Sequence, residues 1–276
     1  MTLYIAAYDV ESPACLPACR KLVELHRRTE VPATFFVVGR RLEEQGEAYG
    51  ELLDDPLFEV ASHTYSHATL RDHPFCGSAV GREAARREFE LGKEWVERVF
   101  ERPCFGVRPA CSFPDGLSGA PDLLGMMDGA GFRYASSAAW GPDHSLPAPL
   151  RDPFRYGEDG FPHLWELPCH GWHENLLKNH NRLGPARLTL WPPPFPEAVP
   201  PDFLSTPEEE FAVHRLFVER AAERDFAHVS LIWHPWSLDR FDPEMRMPEM
   251  VFRRVRDLGL QMGTYADLFA EVSEGD

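Results

Sequence analysis

The chain has 276 residues, 43% of them hydrophobic and 26% charged, with a formal net charge of −16. That length and composition fit a soluble globular domain with a sizeable core. The acidic balance argues against a general nucleic-acid or anionic-membrane surface, and no uninterrupted run of about 18 apolar residues supplies a membrane span. The opening run has no basic region and stops at Asp9 and Glu11, so it reads as neither a signal peptide nor a span, and a cytoplasmic protein is expected. Six cysteines stand at 15, 19, 76, 104, 111 and 169. Only Cys15 and Cys19 are close, which does not complete a structural zinc site, so free thiols in a reducing compartment are expected.

Residues 3–8 read as a first strand, and 15–28 carry apolar residues at helical spacing. Residues 31–39 are nearly all apolar, the pattern of a strand covered on both faces. A helix over 42–53, a strand over 58–62 and a long amphipathic helix over 81–100 follow. Further strands are read at 105–108, 132–136, 163–168, 229–233 and 260–264. Helices are read at 121–130, 206–224 and 248–258. Thr206, Pro207 and Glu209 supply the N-cap, first-turn proline and capping-box glutamate of the helix they open.

Seven or eight alternations of strand and helix imply a parallel α/β architecture, and the count points to a distorted (β/α)7-8 barrel. No linker interrupts it, so residues 1–276 are read as a single domain. The proline-rich stretches 141–160 and 185–204 read as rigid loop insertions of the kind that cover a binding site.

The polar residues fall at strand ends. Asp9 and Glu11 follow the first strand, His63 and His67 the third, Arg108 ends the fourth and His234 follows the strand at 229–233. A His-x3-His pair alone is better explained by two solvated or hydrogen-bonded histidines. In a parallel barrel, however, all these ends share one face, the face that carries chemistry. One carboxylate and two imidazoles make a three-ligand open site for one divalent metal, zinc or a similar ion. The second carboxylate can act as base, Arg108 can hold it ionised, and His234 can act as acid; the set suits metal-assisted hydrolysis.

The segments Pro32-Ala-Thr-Phe-Phe-Val-Val-Gly39, Glu59-Val-Ala-Ser-His-Thr-Tyr-Ser-His67, Gly106-Val-Arg-Pro109, Trp165-Glu-Leu-Pro168 and Trp233-His-Pro-Trp-Ser-Leu-Asp239 resemble the motifs of the polysaccharide deacetylases, carbohydrate esterase family four. The resemblance implies removal of an N-acetyl or other N-acyl group from an amino sugar, small or carrier-linked, with a zinc, cobalt or nickel ion. It implies His63 and His67 as metal ligands, Asp9 as base, Arg108 as its orienting partner and His234 as proton donor. Pro109, Glu166 and Trp236 are assigned to the substrate. Nothing in the pattern calls for nucleic acid or membrane, and a homo-oligomer stays open.

Two departures from the family pattern stand out. The usual adjacent aspartates are replaced by Tyr8-Asp-Val-Glu11, so Glu11 is assigned to the metal and Asp9 to the base, with the reverse order left open. Ala135 stands where similar sequences carry the aspartate that holds the catalytic histidine; Asp239 and Glu166 are the candidate replacements. His170, His173 and His180 read as shaping the substrate pocket, with a second metal cluster as the weaker reading. An amidohydrolase opening a cyclic amide, as allantoinase-like relatives do, and an inactive sugar-binding relative are the alternative functions.

Overall fold

The computed structural model describes residues 2–178 and 184–274. In chain order the elements are β1 (Leu3–Val10), α1 (Cys15–Thr29), β2 (Ala33–Val37), α2 (Gly39–Leu53), β3 (Phe58–Ser62), α3 (Arg82–Phe100), β4 (Gly106–Val107), α4 (Pro121–Gly129) and β5 (Tyr134–Ala135). They continue with β6 (Phe154–Tyr156), β7 (Phe161–Glu166), β8 (His170–His173), α5 (Glu174–Leu177) and α6 (Pro185–Leu188). The rest are α7 (Pro207–Glu223), β9 (His228–Trp233), α8 (Pro235–Phe241), α9 (Arg246–Asp257), β10 (Gln261–Gly263) and α10 (Tyr265–Glu274).

The strands form one sheet in the order β6-β7-β5-β4-β3-β2-β1-β9-β8, with β10 also paired to β1. All pairs are parallel except β6 with β7. The sheet curls because the chain from β7 to β8 is bonded at both of its edges. Leu167 N–H donates to Ala135 O at 2.8 Å and Cys169 N–H to Ala138 O at 2.9 Å, and His170 is then in register with Leu231 of β9. The expected distorted barrel is therefore the observed fold. β1 is buried along its whole length and β2 and β9 flank it, which explains why these strands read as continuous apolar runs. Helices α1, α7 and α9 bury apolar stripes against the outside of the sheet.

The expected capping box at the start of α7 is present: Thr206 Oγ1 accepts from Glu209 N at 3.2 Å, and Glu209 accepts from the Thr206 N–H. The sequence reading missed the short strands β6 and β8 and the helices α5, α6, α8 and α10. Strands of three or four residues are too short for periodicity to reveal. β6 pairs back on β7 as a hairpin inside the stretch read as a proline-rich insertion. No helix is long and apolar enough to cross a membrane among the described residues.

Candidate metal and hydrolytic site

The site begins at the end of β3. Val37 O accepts from His63 N–H at 2.9 Å, extending the ladder by one residue before the chain turns. Thr64 and His67 both adopt left-handed backbone, φ 60° and 63°, an uncommon conformation for residues other than glycine. Helix α3 holds that turn. Glu88, itself buried, accepts from the Ser66 N–H at 2.8 Å and from the Ser66 hydroxyl. Gly92 lets α3 approach: a Cβ there would sit 2.6 Å from Ser62 Oγ and 2.7 Å from the Thr64 carbonyl carbon.

The turn brings the His63 and His67 rings to 4.7 Å between centroids. His63 Nδ1–H donates to Arg108 O at 2.7 Å; a carbonyl can only accept, so the proton is on Nδ1 and the Nε2 lone pair is free. Nε2 is shut off from solvent with no hydrogen-bond partner among the described residues. Burial pushes the His63 pKa down to about 4, so the ring is neutral near pH 7, the state a metal requires. His67 Nε2 lies 3.1 Å from Glu11 Oε2. The other Glu11 oxygen accepts from Trp236 Nε1–H at 2.8 Å. One ligand atom from each of Glu11, His63 and His67 lies within 4.8 Å of the others, the one such group of three among the described residues. Two imidazole nitrogens and one carboxylate are the donor set of an open zinc-type site.

Asp9 stands beside this trio but outside it. Arg108 Nη1 donates to Asp9 Oδ1 at 2.6 Å, and Asp9 Oδ2 is 3.9 Å from His63 Nε2. Burial would raise the Asp9 pKa, but Arg108 first, then His63 and His234, hold it below the usual carboxylate range. Arg108 is fully buried, its guanidinium 4.0 Å from the Phe36 ring centroid, and its Nη2 donates to Ser136 Oγ at 3.0 Å. Ser136 was not singled out from sequence, because its role depends on β4 and β5 lying side by side.

His234 follows β9, with Nδ1–H donating to Glu174 Oε2 and its backbone N–H to Glu174 Oε1, both at 3.2 Å. The partner is therefore neither Asp239 nor Glu166. Asp239 pairs with Lys21 on the surface. Glu174 opens α5, fully buried, with Lys178 Nζ 3.7 Å from its Oε1 and Lys178 in turn 3.1 Å from Glu210. Burial alone would lower the His234 pKa; Glu174, then Glu11, raise it to about 9.

Asp9, Glu11, His63, His67 and His234 all line one pocket of about 310 Å³. Three other expectations land elsewhere. Glu166 is fully buried behind the pocket: Ser137 N–H and Ala138 N–H donate to its Oε1 at 2.6 and 2.8 Å, and Ser137 Oγ and the Tyr156 hydroxyl to its Oε2. Its carboxylate holds the chain after β5 and does not face the cavity. Pro109 is buried and off the pocket lining. Trp236 meets the site through Glu11. His173 lines the pocket, whereas His170 bonds Arg151 O and the Ser230 N–H beneath it, and His180 lies outside the described residues.

The cysteine expectation is also corrected. Cys76 and Cys111 form a disulfide at the pocket wall, joining the loops after β3 and β4; Cys15, Cys19, Cys104 and Cys169 are free and buried. Two cysteines 35 residues apart carry no pairing signal in sequence.

A family model described as polysaccharide deacetylase matches residues 11–117. A chitooligosaccharide deacetylase from Rhizobium leguminosarum bv. phaseoli is 37% identical over 71 residues; the match spans 26% of this chain and 30% of that relative's length. Among solved structures, a Mycobacterium smegmatis protein assigned to the polysaccharide deacetylases aligns with TM-score 0.68 at 17% identity, covering 99% of this chain and 91% of that one. A CE4 family pseudoenzyme from Bacillus anthracis aligns with TM-score 0.57 at 12% identity, covering 98% of this chain and 66% of that one. At such identities these structures speak for the fold alone. Together the comparisons bear out the resemblance read from the motifs: residues 11–117 are similar to the polysaccharide deacetylases, and the chain spans under a third of the length of the curated relative it matches.

Proposed function

We propose that this protein is a metal-dependent hydrolase that removes an N-acetyl, or another small N-acyl, group from an amino sugar. The observation that carries the reading is the convergence of Glu11, His63 and His67, with a free and desolvated His63 Nε2, between two separately anchored groups, Asp9 and His234. The donor set fits a divalent ion of the zinc type. Such an ion, when bound, supplies Lewis-acid polarisation of the acyl carbonyl and a more acidic water.

The chain's own residues account for the proton movements. Arg108 occupies Asp9 Oδ1 and leaves Oδ2, on the His63 side, to accept a proton from the attacking water. A carboxylate held below its usual pKa is ionised across the working range, as a base must be. His234 has Nδ1 committed to Glu174, so Nε2 is the atom that donates to the departing nitrogen. That donation is essential because an amide anion is a very poor leaving group. Glu174 reaches His234 from a different element than the missing aspartate at Ala135 would, which supports an active enzyme over an inactive sugar-binding relative.

The Cys76–Cys111 bridge favours an oxidising compartment over the cytoplasm expected from the sequence. The function is tested by incubating zinc-loaded protein with chitooligosaccharides and following acetate release, with loss of the acetyl mass from the sugar. Absence of both retained metal and acetate release would sink the reading. A gain of one water by a cyclic amide, with no acetate from sugars, would move the assignment to a ring-opening amidohydrolase.

A further inference from the structure

Behind His234, off the pocket lining, lies a row of buried charges that the proton movements above do not use. Lys178 Nζ is 3.1 Å from Glu210 Oε1 and 3.7 Å from Glu174 Oε1, and His214 Nε2 is 3.5 Å from the same Glu210 oxygen. Glu174, Lys178, Glu210 and His214 are all shut off from solvent. The Lys178–Glu210 contact is an ion pair without aligned hydrogen bonds: neither Lys178 Nζ nor either Glu210 carboxylate oxygen completes one among the described residues. A buried pair of this kind contributes little net stability beside apolar side chains of the same volume. Stability alone therefore does not account for it, and its place in the fold points to another task.

That place is a junction. α5 is a single turn, too short to hold itself helical, and it follows a strand whose register slips between His170 and His173. At its far end Leu204 N–H donates to Leu177 O at 2.9 Å. Lys178, immediately after α5, reaches Glu210 on α7, a 17-residue helix fixed at its start by the Thr206–Glu209 capping box. Its ammonium also lies 4.9 Å from the centroid of the Phe241 ring, a cation–π contact to α8, the helix that starts directly after His234. Lys178 thus joins α5, α7 and α8 around the proton donor.

The two Glu174 oxygens are used unequally. Oε1 accepts from the His234 backbone N–H and faces Lys178, whereas Oε2 is given to His234 Nδ1. Lys178 and the backbone N–H fix the carboxylate by Oε1 and leave Oε2 aligned with the ring. Burial would raise the Glu174 pKa, but Lys178 first, then His234, hold it below the usual carboxylate range. The share of Lys178 persists when the ring has given up its proton, so Glu174 is never left as an uncompensated buried charge. Glu210 supplies the opposite charge nearest Lys178 and keeps the ammonium from being drawn fully onto Glu174. Asp242, buried just past α8, is the other carboxylate near the pair; its Oδ2 is occupied by the Met247 N–H at 2.7 Å.

We infer, resting on the hydrolase reading above, that Lys178 and Glu210 are positioning residues for the proton donor: they pin the one-turn helix to α7 and hold the Glu174 carboxylate so that Oε2 meets His234 Nδ1.

The test uses full-length protein and a reporter that needs no substrate. In metal-free protein carrying isotope-labelled histidine, the His234 Nδ1–H proton gives a hydrogen-bonded NMR resonance, assigned by its loss in His234→Asn. Glu210→Gln and Lys178→Met should each move that resonance upfield or broaden it by exchange with water. With zinc bound and chitooligosaccharides as substrate, each should lower kcat by roughly tenfold, a part of the ~10²–10⁴ that a general acid supplies, with KM and zinc content unchanged. The Lys178→Met/Glu210→Gln variant leaves no unpaired charge and should recover unfolding free energy over the single variants in denaturant melts. It should nevertheless keep the altered resonance and the low kcat, because it restores charge balance without restoring the tie. Glu208→Gln removes a surface partner of Arg246 from the same helix; as the control, it should change neither readout. A wild-type resonance and kcat in the double variant would overturn the inference and leave the pair a stability role, as would the same losses in Glu208→Gln. Resonance changes as expected, with no acetate release even by the wild type, would overturn the hydrolase reading and leave the positioning of His234 standing.

Discussion

Replacing Glu174 by glutamine tests how the structure prepares His234 to give up a proton. Glutamine preserves shape and one hydrogen-bond acceptor but removes the negative charge 3.2 Å from His234 Nδ1. Lys178 stays 3.7 Å from the altered position and keeps its positive charge. Burial lowers the His234 pKa, and Glu174 is the largest of the groups that raise it to about 9, ahead of Glu11 and Asp9. A divalent ion would offset the Glu11 charge, so in the loaded enzyme Glu174 is the main counter-charge left to His234. The variant's His234 should therefore titrate clearly below about 9, shifted toward the ordinary value of 6.5. A full drop from about 9 to 6.5 corresponds to ~3 kcal/mol, and Glu174's share, as the largest contributor, is at least ~1 kcal/mol. Histidine NMR titration of the metal-free protein reads the pKa directly, and the basic limb of the pH–rate profile of the loaded enzyme should move to lower pH. The stability signature has a definite sign. A pKa raised on folding stabilises fully below the unfolded value of about 6.5, and that contribution fades as pH rises through about 9. The stability gap between wild type and variant should therefore be widest at pH 6 and smaller at pH 10. An unmoved His234 titration, or an equal stability loss at both pH values, would refute the electrostatic account and leave Glu174 a packing role.

Asp9→Asn should abolish turnover while metal content, measured by elemental analysis, stays near that of the wild type, whereas Glu11→Gln should lower metal affinity; the opposite pattern would exchange the two roles. Gly92→Ala should disturb the 63–67 turn, because its Cβ would overlap Ser62 Oγ and the Thr64 backbone, and a metal titration should show at least a tenfold weaker site; wild-type affinity would show that the turn adapts. Reducing Cys76–Cys111, or changing both residues to serine, should lower unfolding free energy by up to ~4 kcal/mol, from the 35-residue separation and the chain-entropy relation, as read by denaturant melts. Identical melts with and without reductant would argue that the bridge does not form in solution.

The parts of the site that could be read from sequence are those in which strand pattern and chemistry coincide. An apolar run that stops in Asp9, His63, Arg108 or His234 says both that a strand ends and that a reactive group stands there, and parallel pairing of β1, β2, β3, β4 and β9 puts those ends on one face. Glu166 also ends a strand and broke that rule. Side chains alternate faces along a strand, so position at the end does not fix direction, and its carboxylate is turned behind the pocket to the Ser137 and Ala138 amides. The proton-donor apparatus was half legible for a related reason. His234 sits in a strong strand pattern, but Glu174 opens a four-residue helix after a strand whose register slips between His170 and His173. No periodicity reaches across such a break, and the two residues are 60 apart in sequence. The loss of a carboxylate at Ala135 could be seen; its replacement from the far side of the barrel seam could not. That seam is where the chain passes from β7 to β8, and the helix after β8 carries both Glu174 and Asn175. One four-residue helix thus supplies both the charge behind the proton donor, from Glu174, and part of the pocket wall, from Asn175 and Leu176. Substitutions in that short helix should therefore be read out on the His234 titration and on the pocket wall together.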